Sequence, residues 1–255
     1  MIKVLIWGIG GKMGKNVLEC LKNDSEAVCI GGVDKYADPK AFDVPVFAEA
    51  EQIDVVPDVI IDFSRPDALE PLMQFAVSNN CKVVLATTGY SIDQIVQIGK
   101  YSEQIAIFKT ANLSLGVNLM TALCRKAVQF LGGSYDVEII EQHHNQKVDS
   151  PSGTALAIAK AINEEFDNQK RFVYGRNGGD TKRQQDEIGI HAVRGGTIVG
   201  KHEALFIGKD EVITISHEAQ SKMVFAVGAV RAAKYIVCHS CGLHDMQDLI
   251  ATMVD

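Results

Sequence analysis

The chain has 255 residues, of which 47% are hydrophobic and 22% charged, and its 25 Lys and Arg against 32 Asp and Glu leave a net charge of −7. The apolar fraction excludes a disordered protein, whose chain buries too little surface to offset its ordering entropy. The acidic balance argues against a nucleic-acid-binding protein, which needs a dense basic face. The length suggests one large domain or two modest ones.

No apolar run approaches the roughly 18 to 20 residues that span a bilayer. The first ten residues carry one Lys and a short apolar stretch before the glycines begin. A signal peptide would need a longer apolar core and a small-residue cleavage site. We therefore expect a cytoplasmic protein with no membrane partner and no nucleic-acid partner.

Four of the six cysteines stand singly inside apolar segments, where Cys acts as a small hydrophobic residue. Cys238 and Cys241 alone have the spacing of a metal or redox motif. No second pair with matching spacing accompanies them. We interpret them as two helix-face cysteines and expect no metal site.

The first 112 residues alternate short apolar runs with helical patterns. The runs are typical of buried parallel strands and cover Ile2 to Trp7, Ala27 to Val33, Val59 to Phe63, Lys82 to Ala86 and Ile105 to Phe108. After the third run, Ser64 is expected to cap a helix whose first turn contains Pro66. Strands separated by helices indicate βαβ units and a parallel sheet.

The pattern changes after about Ser114. Helices are expected over 117–130, 153–166 and 222–237, and a strand is expected over 135–141. This half of the chain no longer alternates strand and helix regularly, which indicates a second domain of another type.

The polar, glycine-bearing stretch from 173 to 188 is expected to form a long mobile loop. Three strand-like segments follow it, over 189–194, 197–207 and 211–218. Gly195-Gly196 and Gly208-Lys209-Asp210 join them and are hairpin signals. The segments therefore predict an antiparallel meander.

The sequence thus predicts an α/β protein with a Rossmann-like, parallel-sheet nucleotide-binding domain and a smaller α+β domain with a mostly antiparallel sheet. The first domain is assigned residues 1–114 and 222–255, because the C-terminal helix is expected to return to it. The second is assigned residues 115–221. Hinges are expected near Ser114 and Ser221, so that the domains close on each other and exclude water.

A glycine-rich turn, Gly8-Ile9-Gly10-Gly11-Lys12-Met13-Gly14, lies between the first strand and the helix after it. Glycines let the backbone approach a pyrophosphate closely, and a helix N-terminus offers N–H groups and the positive end of its dipole. The run departs from G-x-G-x-x-G, because Met13 stands at the position of the third glycine and Gly14 follows it. It is a looser variant, G-x-x-G-x-x-G.

Asp34 ends the second strand, at the distance from the glycines where an acidic residue binds the adenosine ribose hydroxyls of NADH. Lys35 follows it directly and could instead contact the 2′-phosphate of NADPH. The pair indicates mixed or NADH-leaning use. A solvated surface charge is the alternative role of Lys35.

Further candidate cofactor contacts follow the later strands, because open α/β sheets bind ligands outside the carboxyl ends of their strands. Small hydroxyl and amide residues there suit a nicotinamide ribose and amide. The candidates are Phe63, Ala86, Thr87, Thr88, Ala111, Asn112, Leu113 and Ser114. Turn formation is the alternative role of each segment.

The largest concentration of candidate functional side chains follows the strand over 135–141, where His143, His144 and Lys147 precede the start of a helix. Ser152-Gly153-Thr154 bring N–H and hydroxyl donors to that helix N-terminus, which favours a carboxylate or phosphate. The histidines and the lysine add cationic groups and a titratable acid. A metal site, exposed loop residues and a purely structural cap are the alternatives.

Arg194 ends a strand just before Gly195-Gly196. It is either a further clamp for an anion or an ordinary surface arginine.

The string E-x-H-H-x-x-K-x-D-x-P-S-G-T-A over residues 141–155 closely resembles the signature of the 4-hydroxy-tetrahydrodipicolinate reductase (dihydrodipicolinate reductase) family. The resemblance covers nearly the whole chain. It also includes the segments Gly8 to Gly14, Ile61 to Pro66, Thr87 to Gly89, Ala111 to Ser114, Arg194 to His202 and Gly228 to Arg231.

The resemblance implies an NAD(P)H-dependent oxidoreductase of diaminopimelate and lysine biosynthesis. Its reaction would be the reduction of 4-hydroxy-tetrahydrodipicolinate to tetrahydrodipicolinate with loss of water. By the same resemblance, His143 is the proton donor and Lys147 assists it. His144, Lys147, Gly153 and Thr154 are expected to bind the carboxylates of this small cyclic dicarboxylate.

The resemblance also implies that NADH or NADPH lies on the glycine loop, on Asp34 and on the later strand-end loops. The family often has Arg directly after this acid, whereas Lys35 stands here, which weakens a strong preference for NADPH. A homotetramer, joined through the sheets of the second domain, is expected. Ser152 joins Lys147 among the groups expected to hold one carboxylate, because it opens the helix.

Two other functions are weighed. One is a reductase or dehydrogenase of another amino-acid pathway on a similar two-domain frame, such as diaminopimelate or aspartate dehydrogenase, and the His-His-x-x-Lys string disfavours it. The other is a non-catalytic regulator that senses NAD(H). It would need a DNA-binding or partner-binding module, and the sequence shows neither a basic helix nor an appended domain.

Overall fold

A computed structural model describes residues 1–110, 112–179 and 182–254. Contacts between Cα atoms divide the chain into two compact units, the first comprising Met1–Leu115 with Lys222–Asp255 and the second Gly116–Ser221. Each unit has its own sheet and its own apolar core. Ala111, a candidate cofactor contact, lies outside the described residues.

The strands in the described part of the chain are β1 (Ile2–Trp7), β2 (Ala27–Val33), β3 (Val46–Phe47), β4 (Val59–Asp62), β5 (Lys82–Leu85), β6 (Ala106–Lys109), β7 (Asp136–His143), β8 (Arg171–Tyr174), β9 (Glu187–Arg194), β10 (Gly200–Ile207), β11 (Val212–Ala219) and β12 (Gly242–His244). The α-helices there are α1 (Lys12–Lys22), α2 (Leu69–Ser78), α3 (Ile92–Ser102), α4 (Leu115–Leu131), α5 (Gly153–Glu164), α6 (Met223–Ile236) and α7 (Met246–Val254).

The sheet of the first unit is parallel throughout, in the order β12-β6-β5-β4-β1-β2-β3. The chain runs outward from β1 to β3 and then returns to β4 on the other side of β1, which makes a topological switch point. Val33 of β2 and Asp62 of β4 both pair with the last residue of β1. Gly8, Asp34 and Phe63 therefore follow at the same edge of the sheet.

Both faces of this sheet are covered by helices. Along β1, Val4 and Ile6 join the core that contains residues of α1, α6 and α7, while Leu5 and Trp7 join the core that contains residues of α2 and α3. Successive side chains of a strand point to opposite faces, so a strand buried on both faces reads as a continuous apolar run. The predicted Rossmann-like parallel sheet is confirmed.

The helix after β4 begins later than predicted. A short 3-10 helix covers Pro66–Ala68, with the proline in its first turn as predicted, and α2 follows directly. Ser64 does not cap it, because its hydroxyl donates to Asp62 Oδ1 at 2.5 Å. A capping serine accepts a hydrogen bond from a backbone N–H of the helix, whereas the N–H and the hydroxyl of Ser64 both donate to the buried Asp62 carboxylate.

The sheet of the second unit is mixed, in the order β11-β10-β7-β9-β8. β10 pairs with β7 and β11 in antiparallel fashion, whereas β9 pairs with β7 and β8 in parallel fashion. The expected antiparallel meander is therefore wrong, because β9 does not pair with β10, although most of the residue pairs of this mixed sheet are antiparallel. α5 lies between β7 and the next strands in sequence and provides the crossover that parallel pairing needs.

The connection from β9 to β10 is the part of the structure that differs from the predicted meander. Gly195-Gly196 do not form a hairpin, because β9 and β10 lie on opposite sides of β7. Residues 195–199 instead pass over the end of β7, where Gly195 N–H donates to the His143 carbonyl at 2.9 Å and His144 N–H donates to the Ile198 carbonyl at 2.8 Å. The predicted hairpin at Gly208-Lys209-Asp210 is present between β10 and β11.

The sequence predicts a mobile loop from 173 to 188, of which residues 180 and 181 lie outside the described residues; the described parts are partly strand and partly held by ion pairs. Its ends belong to β8 and β9. Between them, Arg176 and Arg183 bind the carboxylate of Glu138 on β7, at 2.9 Å and 3.0 Å, and His191 Nε2 lies 2.6 Å from the same carboxylate. Two of the polar residues in this stretch, Arg176 and Arg183, therefore belong to an ion-pair cluster around Glu138.

The segment after α6 adds elements that the sequence pattern did not reveal. β12 extends the first sheet beside β6, and α7 follows it. Cys238 and Cys241 lie in the turn between α6 and β12, so their interpretation as helix-face cysteines is wrong; both are free and exposed. No three His, Cys, Asp or Glu side chains of the described residues are grouped as metal ligands.

Among the described residues, none of the helices is both long enough and apolar enough to cross a membrane.

A helix-to-backbone contact in the first unit gives a stability prediction. A Cβ at Gly228 of α6 would lie 1.8 Å from the Leu113 carbonyl oxygen. Gly228→Ala is therefore expected to lower the free energy of unfolding by about 1–3 kcal/mol. The matched control is Gly99→Ala in α3, where a Cβ would meet nothing within 4 Å and the helix should gain up to about 1 kcal/mol. Urea unfolding measures both, and a Gly228→Ala variant as stable as the parent contradicts the contact.

Candidate active site

Two glycines at the turn after β1, Gly8 and Gly14, have no room for a side chain. Gly8 has a φ of +85°, and a Cβ there would lie 2.8 Å from the Phe63 carbonyl oxygen. A Cβ on Gly14 would lie 2.2 Å from the Gly8 carbonyl oxygen. Gly14 thus provides the close helix-to-strand contact that the third glycine usually provides. This explains how the looser glycine pattern still allows the helix to pack closely.

Asp34 is fixed at the end of β2 by the backbone. Its Oδ2 accepts a hydrogen bond from the Gly10 N–H at 2.9 Å, and its Oδ1 accepts one from the Tyr36 N–H at 2.9 Å. A Cβ on Gly10 would lie 2.7 Å from Asp34 Oδ2, so only glycine lets the turn come this close. Turn and carboxylate are therefore positioned together, as a pyrophosphate and its neighbouring ribose require.

A cleft of about 780 Å³ opens on this edge of the first unit. The candidate cofactor residues that line it are Gly8, Gly10, Gly11, Asp34, Lys35 and Phe63. The other charged residues that line it are Glu49, Glu51, Arg65 and Asp67. The cleft is therefore lined by four acidic residues and two basic ones.

Other candidates of the first unit do not line this cleft: Ile9, Lys12, Met13, Ala86, Thr87, Thr88, Asn112, Leu113 and Ser114. Ile9 is fully buried, and its side chain fills the space above Gly32. Only its backbone can meet a nucleotide. Ala86 follows the end of β5, and its N–H donates to the Asp62 carbonyl at 2.9 Å, which brings the residues after β4 and β5 side by side.

Asp62 is a buried carboxylate among these strand ends that the sequence did not single out as a site residue. It is 1% exposed and accepts hydrogen bonds from the Ser64 N–H and hydroxyl and, at 3.2 Å, from the Tyr90 hydroxyl. Burial raises its pKa, and contacts with Ser64, Thr87 and Tyr90 oppose that rise. Asp62 thereby joins the segment after β4 to the segment after β5.

In the second unit, the buried residues of β7 are apolar in the first half of the strand and polar in the second half. Val137, Ile139, Glu141 and His143 alternate along the strand and are all buried. His143 Nδ1 lies 2.6 Å from Glu141 Oε2. Two polar residues that alternate onto a core-facing side are the sequence signal that could have marked Glu141, which we did not predict as a site residue.

Arg194 holds the carboxylate of Glu141 from β9. Its two terminal nitrogens each donate to one carboxylate oxygen at 2.7 Å, and a further bond reaches the Asp149 carbonyl at 2.7 Å. Arg194 is thus engaged within the protein and is neither a free clamp for an anion nor an ordinary surface arginine.

Ser152 joins the start of α5 to this cluster. Its N–H donates to Glu141 Oε1 at 2.9 Å, while its hydroxyl oxygen caps the Ala155 N–H at 3.1 Å and lies 3.0 Å from His202 Nε2. Ser152 is 2% exposed. Its polar atoms are therefore used inside the protein, and we assign it the support of the helix start in place of the expected contact with a carboxylate.

Lys147 lies near the same helix start. Its Nζ lies 2.8 Å from Asp149 Oδ1 and lowers the pKa of that carboxyl, and the N–H of Gly153 lowers it further. A Cβ at Gly153 would meet nothing within 4 Å. Lys147 therefore already pairs with a carboxylate close to the start of α5. His144 is held next to them through its backbone.

Burial and neighbouring charges set the protonation of the cluster. Burial alone would raise the pKa of Glu141, but hydrogen bonds from Arg194, His143 and Ser152 outweigh it and keep the pKa below its ordinary value. Burial lowers the pKa of His143, and Glu141 partly restores it. Burial lowers the pKa of His202 to about 4, so its ring is neutral at neutral pH.

The second unit therefore brings together His143, His144, Lys147, Gly153 and, near them in sequence, Thr154. This set combines a titratable imidazole with cationic and N–H donors for an anion. It suits protonation of a negatively charged small molecule.

Comparison with known proteins agrees with this architecture. The family model described as dihydrodipicolinate reductase, N-terminus, matches residues 2–113, and the model described as dihydrodipicolinate reductase, C-terminus, matches residues 116–250. A curated protein of Caldanaerobacter subterraneus subsp. tengcongensis, named 4-hydroxy-tetrahydrodipicolinate reductase, is 46% identical over 98% of both chains. One of Clostridium novyi with the same name is 44% identical over 98% of both chains.

A solved structure, described as dipicolinate-bound dihydrodipicolinate reductase from Paenisporosarcina sp. TG-14, is also similar. Its TM-score is 0.80 at 27% sequence identity, and the match covers 96% of this chain and 97% of that one. Matches in sequence and in fold thus extend over nearly the whole length. The chain belongs to the dihydrodipicolinate reductase family.

Proposed function

We propose that the chain reduces 4-hydroxy-tetrahydrodipicolinate to tetrahydrodipicolinate with loss of water, using NAD(P)H, in diaminopimelate and lysine biosynthesis. The observation that carries this proposal is the buried His143, held by Glu141 at 2.6 Å, on the same unit as a lysine and helix N-terminus that already bind a carboxylate. An acid beside an anion site is what a doubly negative, proton-accepting substrate requires.

The first unit holds the nicotinamide nucleotide. N–H groups of the turn from Gly8 to Gly11 and the start of α1 bind its pyrophosphate, and Asp34 binds its adenosine ribose. Gly8 and Gly10 support this fit, since a side chain at either position would collide with neighbouring protein atoms and prevent this turn from forming. When bound, the nucleotide supplies a hydride to the substrate ring.

The second unit holds the substrate and protonates it. Lys147, the N–H of Gly153 and the Thr154 side of the helix N-terminus bind one carboxylate, and His144 contributes to binding. Asp149 must give up its contacts with Lys147 and Gly153 when this carboxylate binds. His143 donates the proton, and Lys147 assists it as a neighbouring cation.

The chain assembles as a homotetramer through the sheets of the second unit. Support comes from Val193 and Val212, two apolar side chains that are exposed on the face of this sheet opposite its apolar core and that a neighbouring copy would cover.

The proposal is tested by following NAD(P)H absorbance with freshly made 4-hydroxy-tetrahydrodipicolinate. We expect oxidation of the nucleotide that depends on this substrate. Diaminopimelate and aspartate, offered with NAD⁺, discriminate the rival dehydrogenases. Nucleotide binding without turnover on any of these substrates would favour a sensor and contradict the proposal.

The acid role of His143 predicts a loss of turnover without a loss of nucleotide binding. His143→Ala is expected to lower kcat by about 10²- to 10⁴-fold, the range for a general acid, while the Kd for NADH stays unchanged. His239→Ala, in the first unit, is the control and should leave both unchanged. Steady-state kinetics and NADH fluorescence titration provide the measurements. Near-normal kcat in His143→Ala would remove His143 as the acid.

The charge of the cleft predicts a preference for NADH. A 2′-phosphate would enter a cleft whose carboxylates outnumber its cations, so kcat/KM should be higher with NADH than with NADPH. Asp34→Asn removes one of these charges and should shift the ratio toward NADPH by about tenfold, or about 1.4 kcal/mol. Asp43→Asn, paired with Lys22 outside the cleft, is the control. An unchanged ratio in Asp34→Asn would refute the role of Asp34.

A further inference from the structure

The two nitrogens of the His143 ring have different surroundings. Nδ1 lies 2.6 Å from Glu141 Oε2 and is the nitrogen that forms a hydrogen bond within the described residues. Nε2 faces Gly200, where an added Cβ would lie 3.0 Å away. The His143 side chain is 10% exposed, whereas that of Glu141 is fully buried. Nδ1 is therefore engaged by the protein, and Nε2 is the ring nitrogen that is available to exchange a proton.

Glu141 can act only as an acceptor toward His143. Its two oxygens receive two bonds from Arg194 and one from the Ser152 N–H, all between 2.7 and 2.9 Å. These groups are obligate donors, so they favour the ionised carboxylate. An ionised carboxylate requires a hydrogen on His143 Nδ1, and the proton that is exchanged must then be on Nε2.

We propose that Glu141, held by Arg194, is a positioning residue that keeps a hydrogen on Nδ1 of His143, so that Nε2 delivers the proton to the substrate. This inference rests on the proposed role of His143. Glu141 and Arg194 act through the ring and do not touch the substrate. The arrangement resembles the way a buried carboxylate orients the histidine of a hydrolase triad.

The charges around His143 make this carboxylate necessary for an acid. Lys147 and Arg194 both disfavour the imidazolium, and His202, whose ring centroid lies 5.2 Å away, is neutral at neutral pH. Glu141 is the negative group with the largest effect on the pKa of His143. Without it, a charged ring would face two cations, and the acid form would be populated only at lower pH.

The same strand offers a matched control. Glu138 lies on the other face of β7 and also binds an arginine through both oxygens, at 2.9 Å, and a histidine at 2.6 Å, namely Arg176 and His191. Glu138→Gln therefore breaks a cluster of the same kind without contact with His143. An effect that Glu141→Gln shows and Glu138→Gln lacks cannot come from the general loss of a buried ion pair.

The test compares the full-length protein with Glu141→Gln and Glu138→Gln by ¹⁵N NMR of the histidine rings and by the pH dependence of kcat. The parent should show His143 with its hydrogen on Nδ1 in the neutral form. Glu141→Gln should reduce that population, lower the pKa of the ring and lower kcat at neutral pH by about 100-fold. The limb of the profile that falls with rising pH should move to lower pH. Glu138→Gln should leave all four quantities unchanged.

The outcomes separate the positioning role from the acid role. A parent ring with its hydrogen on Nε2, or a Glu141→Gln ring with unchanged ¹⁵N shifts, overturns the inference about Glu141. Changed shifts with unchanged kcat support the positioning role and contradict the proposed acid. The measurement on the parent needs no variant, so failure of Glu141→Gln to fold still leaves a decisive result.

Discussion

The arrangement of the candidate site in the second unit depends on one buried carboxylate that must remain ionised. Removing such a group from water costs several kcal/mol unless hydrogen bonds and an opposite charge replace the water. Glu141 obtains these replacements from three elements: Arg194 on β9, His143 on its own strand and the Ser152 N–H at the start of α5. The ends of β7, β9 and α5 are therefore held together by a single requirement, and the candidate site lies where they meet.

The two units build their sites in different ways. In the first unit the site is made mainly from backbone, because strand register places Gly8, Asp34 and Phe63 side by side and the missing Cβ atoms let these segments approach one another closely. In the second unit it is made from side chains that hold one another. A backbone site depends on where the strands end, whereas a side-chain site depends on every member of its network.

The sequence predicts the parallel sheet and the position of the glycine turn well, and the side-chain network of the second unit poorly. Continuous apolar runs and glycine spacing lead directly to the parallel sheet and to the turn around Gly8, because both follow from local pattern. Pairing between distant strands does not, so the mixed order of the second sheet was missed. Arg194 shows the limit most clearly: its position at a strand end was visible, but its partner lies 53 residues away on a neighbouring strand.

The crossing of residues 195–199 over the end of β7 has a consequence for evolution. β9 and β10 lie two strand spacings apart, about 10 Å, and only five residues join them. These residues also supply the hydrogen bonds that hold the backbone of His143 and His144. An insertion here would lengthen the segment that fixes both histidines and would loosen its hydrogen bonds to them. Homologous chains should therefore vary in length elsewhere and keep the length of this connection constant.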